Sequence, residues 1–256
     1  MTTPTGMLGG LGQIAVIGGM DPSGGAGLLR DAWTVAQRGP KLELHAACTA
    51  ITRQGEGGPA RVASTEPDIL ARELDRVAGL EHLRAVKLGM IPAEHVAMIE
   101  DFLVRLRARP HPPRTVFDPV GSASAGGRLG APAAALLGLV ARVELLTPNT
   151  AELAELRAAG PLPSGVAVLI KGEAVVDRPD RIADRLCFAD GGQQVFERPR
   201  LVGADPRGTG CALASAIACE LAHGRSMITA VAAGVAWLDG ARRRSVRAAD
   251  GWHLPR

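Results

Sequence analysis

Apolar positions along the chain fall into short continuous runs rather than long alternating ones. Each run is followed by glycines or polar residues and then by a segment with helical spacing. Ile14–Ile17, Leu42–Ile51, Val86–Met90, Thr115–Val120, Val143–Asn149 and Val166–Gly172 have the look of strands, most of them of the doubly buried, parallel kind. Between them the spacing predicts helices over Leu28–Arg38, Pro67–Ala78, Pro92–Arg107, Ala131–Val140 and Ala151–Ala159. The pattern then changes. Arg181–Phe188 and Gln194–Arg200 flank Asp190-Gly-Gly192, a hairpin signal, and two more helices follow over Cys211–His223 and Met227–Arg243. The sum is an α/β fold: a mostly parallel sheet covered by helices on both faces, with a late antiparallel edge hairpin.

Composition narrows this little further. With 256 residues and 46% hydrophobic content, the chain suits one large α/β domain. A net charge of +3, from 29 basic and 26 acidic residues, gives no strong field. Four Phe, three Trp and no Tyr leave little to stack on bases, so nucleic acid is not an expected partner. Cys48, Cys187, Cys211 and Cys219 show no CxxC spacing, which fits a reduced, cytoplasmic protein. Neither a signal peptide nor a membrane span is expected. Residues 1–12 are expected to be a flexible tail, and so is the arginine-rich end, 245–256.

Candidate chemistry gathers just past the strand ends, where open α/β sheets bind ligands. Gly208, Thr209 and Gly210 open a helix whose first N–H groups lack partners, which makes an anion site. Cys211 falls in that first turn, where the helix dipole favours a thiolate, and is a candidate base for a substrate hydroxyl. A plain tight loop with a small buried cysteine is the competing reading. An earlier glycine loop, Gly18 to Gly27, carries Asp21 and ends near Asp31; it lacks both the Walker A ending and the GxGxxG spacing. Gly19, Asp21, Gln54, Met90, Asp118, Asn149, Lys171 and Cys211 all map to the same sheet edge.

Taken together, Gly19-Met-Asp-Pro-Ser-Gly-Gly-Ala-Gly27, Lys87-Leu-Gly-Met90, Asp118-Pro-Val120, Thr147-Pro-Asn-Thr-Ala-Glu152, Ile170-Lys-Gly172 and Gly208-Thr-Gly-Cys211 resemble the hydroxymethylpyrimidine and phosphomethylpyrimidine kinases. The motifs occur in the same order over residues 13–244. The resemblance implies a ribokinase-like three-layer α/β/α sandwich forming a single kinase domain. It implies ATP with Mg²⁺, and phosphoryl transfer to 4-amino-5-hydroxymethyl-2-methylpyrimidine and then to its monophosphate in thiamine biosynthesis. It also implies a homodimer, with the hairpin 181–200 as one contact. By the same resemblance the pyrimidine pocket holds Gly19, Ala26, Asp31, Gln54, Met90 and Val120, with Gln54 and Asp31 pairing with the aminopyrimidine edge. Cys211 takes the place of the base beside Gly208, Thr209 and Gly210. Asn149, Glu152, Lys171 and Arg207 attend the nucleotide, and Asp118, with Glu152 acting indirectly, attends the metal.

The residues themselves leave structural readings open: a turn cap for Asp31, core packing for Met90, a snorkelling Lys171, an N-cap for Asn149 and a dipole contact for Glu152. Several positions also depart from the family pattern. Arg53 precedes Gln54-Gly55, Gly121 and Ser124 stand near Asp118, Glu173-Ala174 follow Lys171-Gly172, and Arg207 precedes the anion loop. One reading makes Arg207 a replacement cation in a rebuilt kinase site, with pyridoxal or pyridoxine as the other acceptor. A different one lets Glu173 weaken ATP binding, leaving a non-catalytic pyrimidine-binding relative.

Overall fold

The computed structural model describes residues 11–53, 61–121, 127–201, 206–248 and 251–255. The expectations for the N-terminal tail, Gln54 and Ser124 fall on or largely on residues outside these.

Nine strands form one sheet in the order β3-β2-β1-β4-β5-β6-β7-β8-β9. Its parallel centre is β2 (Leu42–Arg53), β1 (Gly12–Met20), β4 (Leu83–Leu88), β5 (Arg114–Phe117), β6 (Leu145–Leu146) and β7 (Ala167–Ala174). The expected hairpin is β8 (Arg181–Cys187) with β9 (Gln193–Pro199), both antiparallel. The opposite edge also carries an antiparallel strand, β3 (Arg61–Ser64), which the sequence did not signal. Its four residues are all exposed, so no apolar alternation marks it.

The doubly buried strands divide their side chains between two cores, as the period of two requires. Ala15, Ile17, Val86, Leu88, Phe117 and Leu146 pack beneath α2 (Pro67–Ala78), α3 (Val96–Arg107), α4 (Ala133–Val140) and α5 (Thr150–Ala159). Ile14, Val16, Ala85, Val116 and Leu145 pack on the other face, beneath α1 (Gly27–Arg38), α6 (Thr209–Ala222) and α7 (Met227–Arg243). Helix α6 is buried almost all round, which its Ala-rich sequence permits by letting the sheet and α7 approach closely. Its N-terminus therefore points along the sheet to the carboxyl ends of β1, β4 and β5.

The C-terminal expectation needs correction. Val246–Ala248 (β10) and Gly251–His253 (β11) form an antiparallel pair, and Leu254 is buried in the second core. One apolar side chain and backbone pairing dock a segment whose composition reads as solvated.

Candidate active site

The strand ends and the two glycine loops enclose a cavity of about 560 Å³. That volume suits a small ring together with a phosphorylated donor. Gly19, Ala26, Asp31, Met90, Asp118, Val120, Asn149, Glu152, Lys171 and the loop from Gly208 to Cys211 all line it.

At one end lies a small apolar group of its own, Ala50, Met90 and Leu129 with Val120 against them. The Met90 carbonyl accepts a hydrogen bond from Thr49 Oγ1 at 2.8 Å, which fixes the turn after β4. A side chain at Gly19 would run into the Met90 Cε methyl, so the glycine lets Met90 pack directly against the backbone at this end. Met90 and Val120 are thus pocket wall and core at once.

At the other end Gly208 caps α6 in the left-handed region, at φ 73°. A Cβ there would collide with the Gly25 carbonyl oxygen, so the two glycine loops touch backbone to backbone. Beyond it Thr209, Gly210 and Cys211, the first turn of α6, line the cavity; a helix start leaves its first N–H groups without intrahelical partners. A Cβ on Gly210 would stand 3.1 Å from Lys171 Nζ and 3.2 Å from Asp118 Oδ2, so this glycine opens a cradle between the helix end and that pair. Lys171 donates to Asp118 Oδ1 at 2.7 Å. Burial works against the Lys171 charge, yet Asp118 and Glu152 together outweigh it and raise its pKa.

Asn149 and Glu152 form a full capping box at the start of α5. Asn149 Oδ1 accepts from the Glu152 N–H and Glu152 Oε2 from the Asn149 N–H, both at 2.8 Å. The cap reading is therefore correct, and it also places the Glu152 carboxylate at the cavity wall. Burial pushes Glu152 up to about 7, against the pull of Lys171 and with Asp118 adding to the rise.

Four expectations change. Asp31 borders the cavity but is fully buried: Oδ2 accepts from Lys87 Nζ at 2.7 Å and Oδ1 from Ser215 Oγ at 2.8 Å. No exposed oxygen remains for a ring amine. Burial pushes the Lys87 ammonium down, but Asp31, with smaller contributions from Cys211 and Asp118, more than reverses this. Cys211 does not have a lowered pKa: burial raises its thiol to about 11, because desolvation outweighs both Lys87 and the Gly27 N–H. Arg207 is not among the cavity-lining residues and pairs with Asp21 Oδ2 at 2.7 Å, joining the two glycine loops. Glu173, finally, pairs with Arg185 on β8, at 2.9 and 3.2 Å, and does not line the cavity.

Lys87 and Ser215 are the members the sequence reading passed over. A lysine inside the apolar run Ala-Val-Lys-Leu had to find a buried acid, and that signal was present. Ser215 carries no such mark; it matters because it lies one turn after Cys211 on α6.

Three comparisons bear on identity. The family model described as phosphomethylpyrimidine kinase matches residues 21–255. The hydroxymethylpyrimidine/phosphomethylpyrimidine kinase of Salmonella typhimurium is 33% identical over 240 residues, covering 88% of each chain. The thiamine biosynthesis multifunctional protein ThiED of Corynebacterium efficiens is 32% identical over 249 residues; the match covers 90% of this chain but only 33% of that longer protein. In fold, the chain is similar to an ADP complex of Bacillus subtilis pyridoxal kinase, with a TM-score of 0.81 over 96% of this chain and 97% of that one, at 20% identity. That likeness gives the ribokinase-like architecture expected above. By its motifs, their order and the extent of the family match, the chain belongs to the phosphomethylpyrimidine kinase family.

Proposed function

We propose that this chain transfers the γ-phosphoryl group of ATP, with Mg²⁺, to the hydroxymethyl group of 4-amino-5-hydroxymethyl-2-methylpyrimidine and then to the monophosphate, in thiamine biosynthesis. The observation that carries the reading is one continuous cavity. It joins the apolar end at Met90, Leu129 and Val120 to the loop at Gly208 to Cys211.

Residues present fit both absent groups. The open cradle at Gly210, bordered by Lys171 and the first N–H groups of α6, suits phosphate oxygens. Asp118 and Glu152 supply carboxylates of the kind that hold Mg²⁺ alongside phosphate oxygens. When bound, the ion would offset charge on the transferring phosphoryl group. The chain's own contribution is position and field. The helix end and Lys171 favour the negative charge that builds up on the transferred group. Cys211 stands beside the loop as the group to receive the hydroxyl proton. Burial favours its protonated form, so Cys211 takes this role only after releasing its own proton to solvent, and the Lys87 charge favours the thiolate that results.

The pairing of Glu173 with Arg185 removes the objection that a free carboxylate would repel the triphosphate, and so favours a kinase over a non-catalytic relative. Cytoplasmic location and a homodimer belong to the same proposal, as does a kinase domain that begins near residue 13 and, with Leu254 packed in the second core, runs on past residue 244. No described helix is long and apolar enough to cross a membrane.

The test is product formation from ATP with hydroxymethylpyrimidine, its monophosphate and pyridoxal offered separately. Phosphorylation of the first two supports the reading; phosphorylation of pyridoxal alone would replace the acceptor.

A further inference from the structure

The C-terminal segment reaches the site from outside, through contacts with both glycine loops. Arg30 on α1 is 2% exposed and donates to three carbonyls: through Nη2 to Gly24 at 3.3 Å and to Leu254 at 3.1 Å, and through Nη1 to Pro255 at 3.0 Å. Its guanidinium also lies 4.9 Å from the centre of the Trp33 ring. One buried side chain thus ties the first loop to the end of the chain. The His253 ring packs on Gly25, where a Cβ would stand 3.1 Å from Cε1. The His253 backbone bridges that of Arg207, the residue before Gly208, and Arg207 reaches back to Asp21.

The geometry points to His253–Pro255 as a positioning element of the transfer site, one that braces the first glycine loop against the loop from Gly208 to Cys211. The first loop needs such support. Between Asp21 and Ala26 it is turn and bend rather than helix or strand, and glycine gives it wide conformational freedom. Within it, Asp21 Oδ1 accepts from Ser23 and Ser23 Oγ from the Gly25 N–H, which shapes the turn but anchors it to nothing else. Anchors from outside the turn include Arg207 on Asp21, Arg30 and the Trp33 ring on Gly24, and the Gly208 backbone and His253 ring on Gly25. Arg30, through Leu254 and Pro255, and His253 directly tie the loop to the C-terminal segment. Phosphoryl transfer depends on alignment, and a misplacement of about 1 Å can cost roughly 100-fold in rate.

This inference rests on the two loops forming the transfer site, so its test has one readout that does not need turnover. The full chain, a chain stopped after Ser245 and the full-length His253→Ala variant are treated with iodoacetamide, and alkylation is followed separately at Cys211 and Cys219. Both cysteines are buried on α6, but only Cys211 lies at the loops. The brace predicts faster alkylation of Cys211 in both variants with Cys219 unchanged, and turnover lowered by about tenfold or more in the stopped chain. An unchanged Cys211 rate would overturn it, as would equal acceleration of both cysteines, which signals general loosening. If the stopped chain does not fold, His253→Ala decides by the same ratio. A full chain without turnover would count against the kinase reading alone, since the alkylation ratio still decides the brace.

Discussion

Lys87 Nζ lies 2.7 Å from Asp31 Oδ2, with each side chain only 1% exposed. The pair sits beneath Cys211, linked to α6 through the hydrogen bond from Ser215 to the second Asp31 oxygen. A carboxylate that a sequence motif assigns to the substrate is here committed to a buried lysine. The cavity therefore has a charged floor at Asp31 and Lys87.

Removing one partner of such a pair leaves an uncompensated buried charge, at a cost of about 3–5 kcal/mol. Lys87→Met should lower the unfolding free energy by that order in urea titrations. Adding Asp31→Asn should restore part of the loss. If the single and double variants are equally unstable, lost packing rather than lost charge pairing is the cause.

The thiol of Cys211 supplies a pH prediction. Burial raises it to about 11, and Asp31 and Asp118 add to the rise while Lys87 and the Gly27 N–H oppose it. Because the shift is upward, the thiolate is the minor form at neutral pH and grows about tenfold per pH unit below that value. The alkylation rate of Cys211 in the ligand-free protein should climb through pH 8 to 10 without levelling. A plateau near pH 7 would mean that the helix field outweighs burial.

Two glycines with similar backbone angles separate strain from collision. Gly208 has φ 73° and Gly172 has φ 70°, but a Cβ on Gly172 meets nothing within 4 Å. Gly172→Ala should cost about 1–2 kcal/mol of backbone strain and leave ATP binding intact. Gly208→Ala should carry the same strain, press on the Gly25 carbonyl and reduce turnover. Equal activity of the two variants would show that the loops need not touch.

The two charges on β7, Lys171 and Glu173, should part company. Lys171→Met removes a charge-assisted contact and should weaken ATP binding by about 10- to 100-fold. Glu173→Gln should leave it unchanged, because Glu173 is spent on Arg185. A clear gain in ATP affinity from Glu173→Gln would restore the reading in which that carboxylate repels the nucleotide.

These residues also show where sequence reading succeeds. The run Ile14–Ile17, four consecutive buried apolar residues, and the run Ala85–Leu88, interrupted only by the paired Lys87, fit strands covered on both faces, and their shared end predicted the cavity. The Gly208 loop was readable as a helix start, while its glycines by themselves left a plain tight loop as the competing reading. Partners were not readable. Asp31 with Lys87, Arg207 with Asp21 and Glu173 with Arg185 join positions at least 12 residues apart, and charge alone does not say which cation an acid will meet. The thiol of Cys211 was misjudged for a related reason: a helix terminus is visible in sequence, whereas the burial that overrides it is set by the neighbours. Docking of the C-terminal hairpin depends on backbone contacts, which leave no trace in composition.

On the proposed reading, Cys211 and the apolar end of the cavity serve one reaction. Turnover of hydroxymethylpyrimidine with ATP, measured beside calorimetric binding of the pyrimidine in the wild type and in Cys211→Ala, tests it most directly. The account predicts turnover reduced by about 100-fold or more with pyrimidine affinity nearly unchanged. Full turnover in Cys211→Ala would remove Cys211 as the proton acceptor and contradict the account.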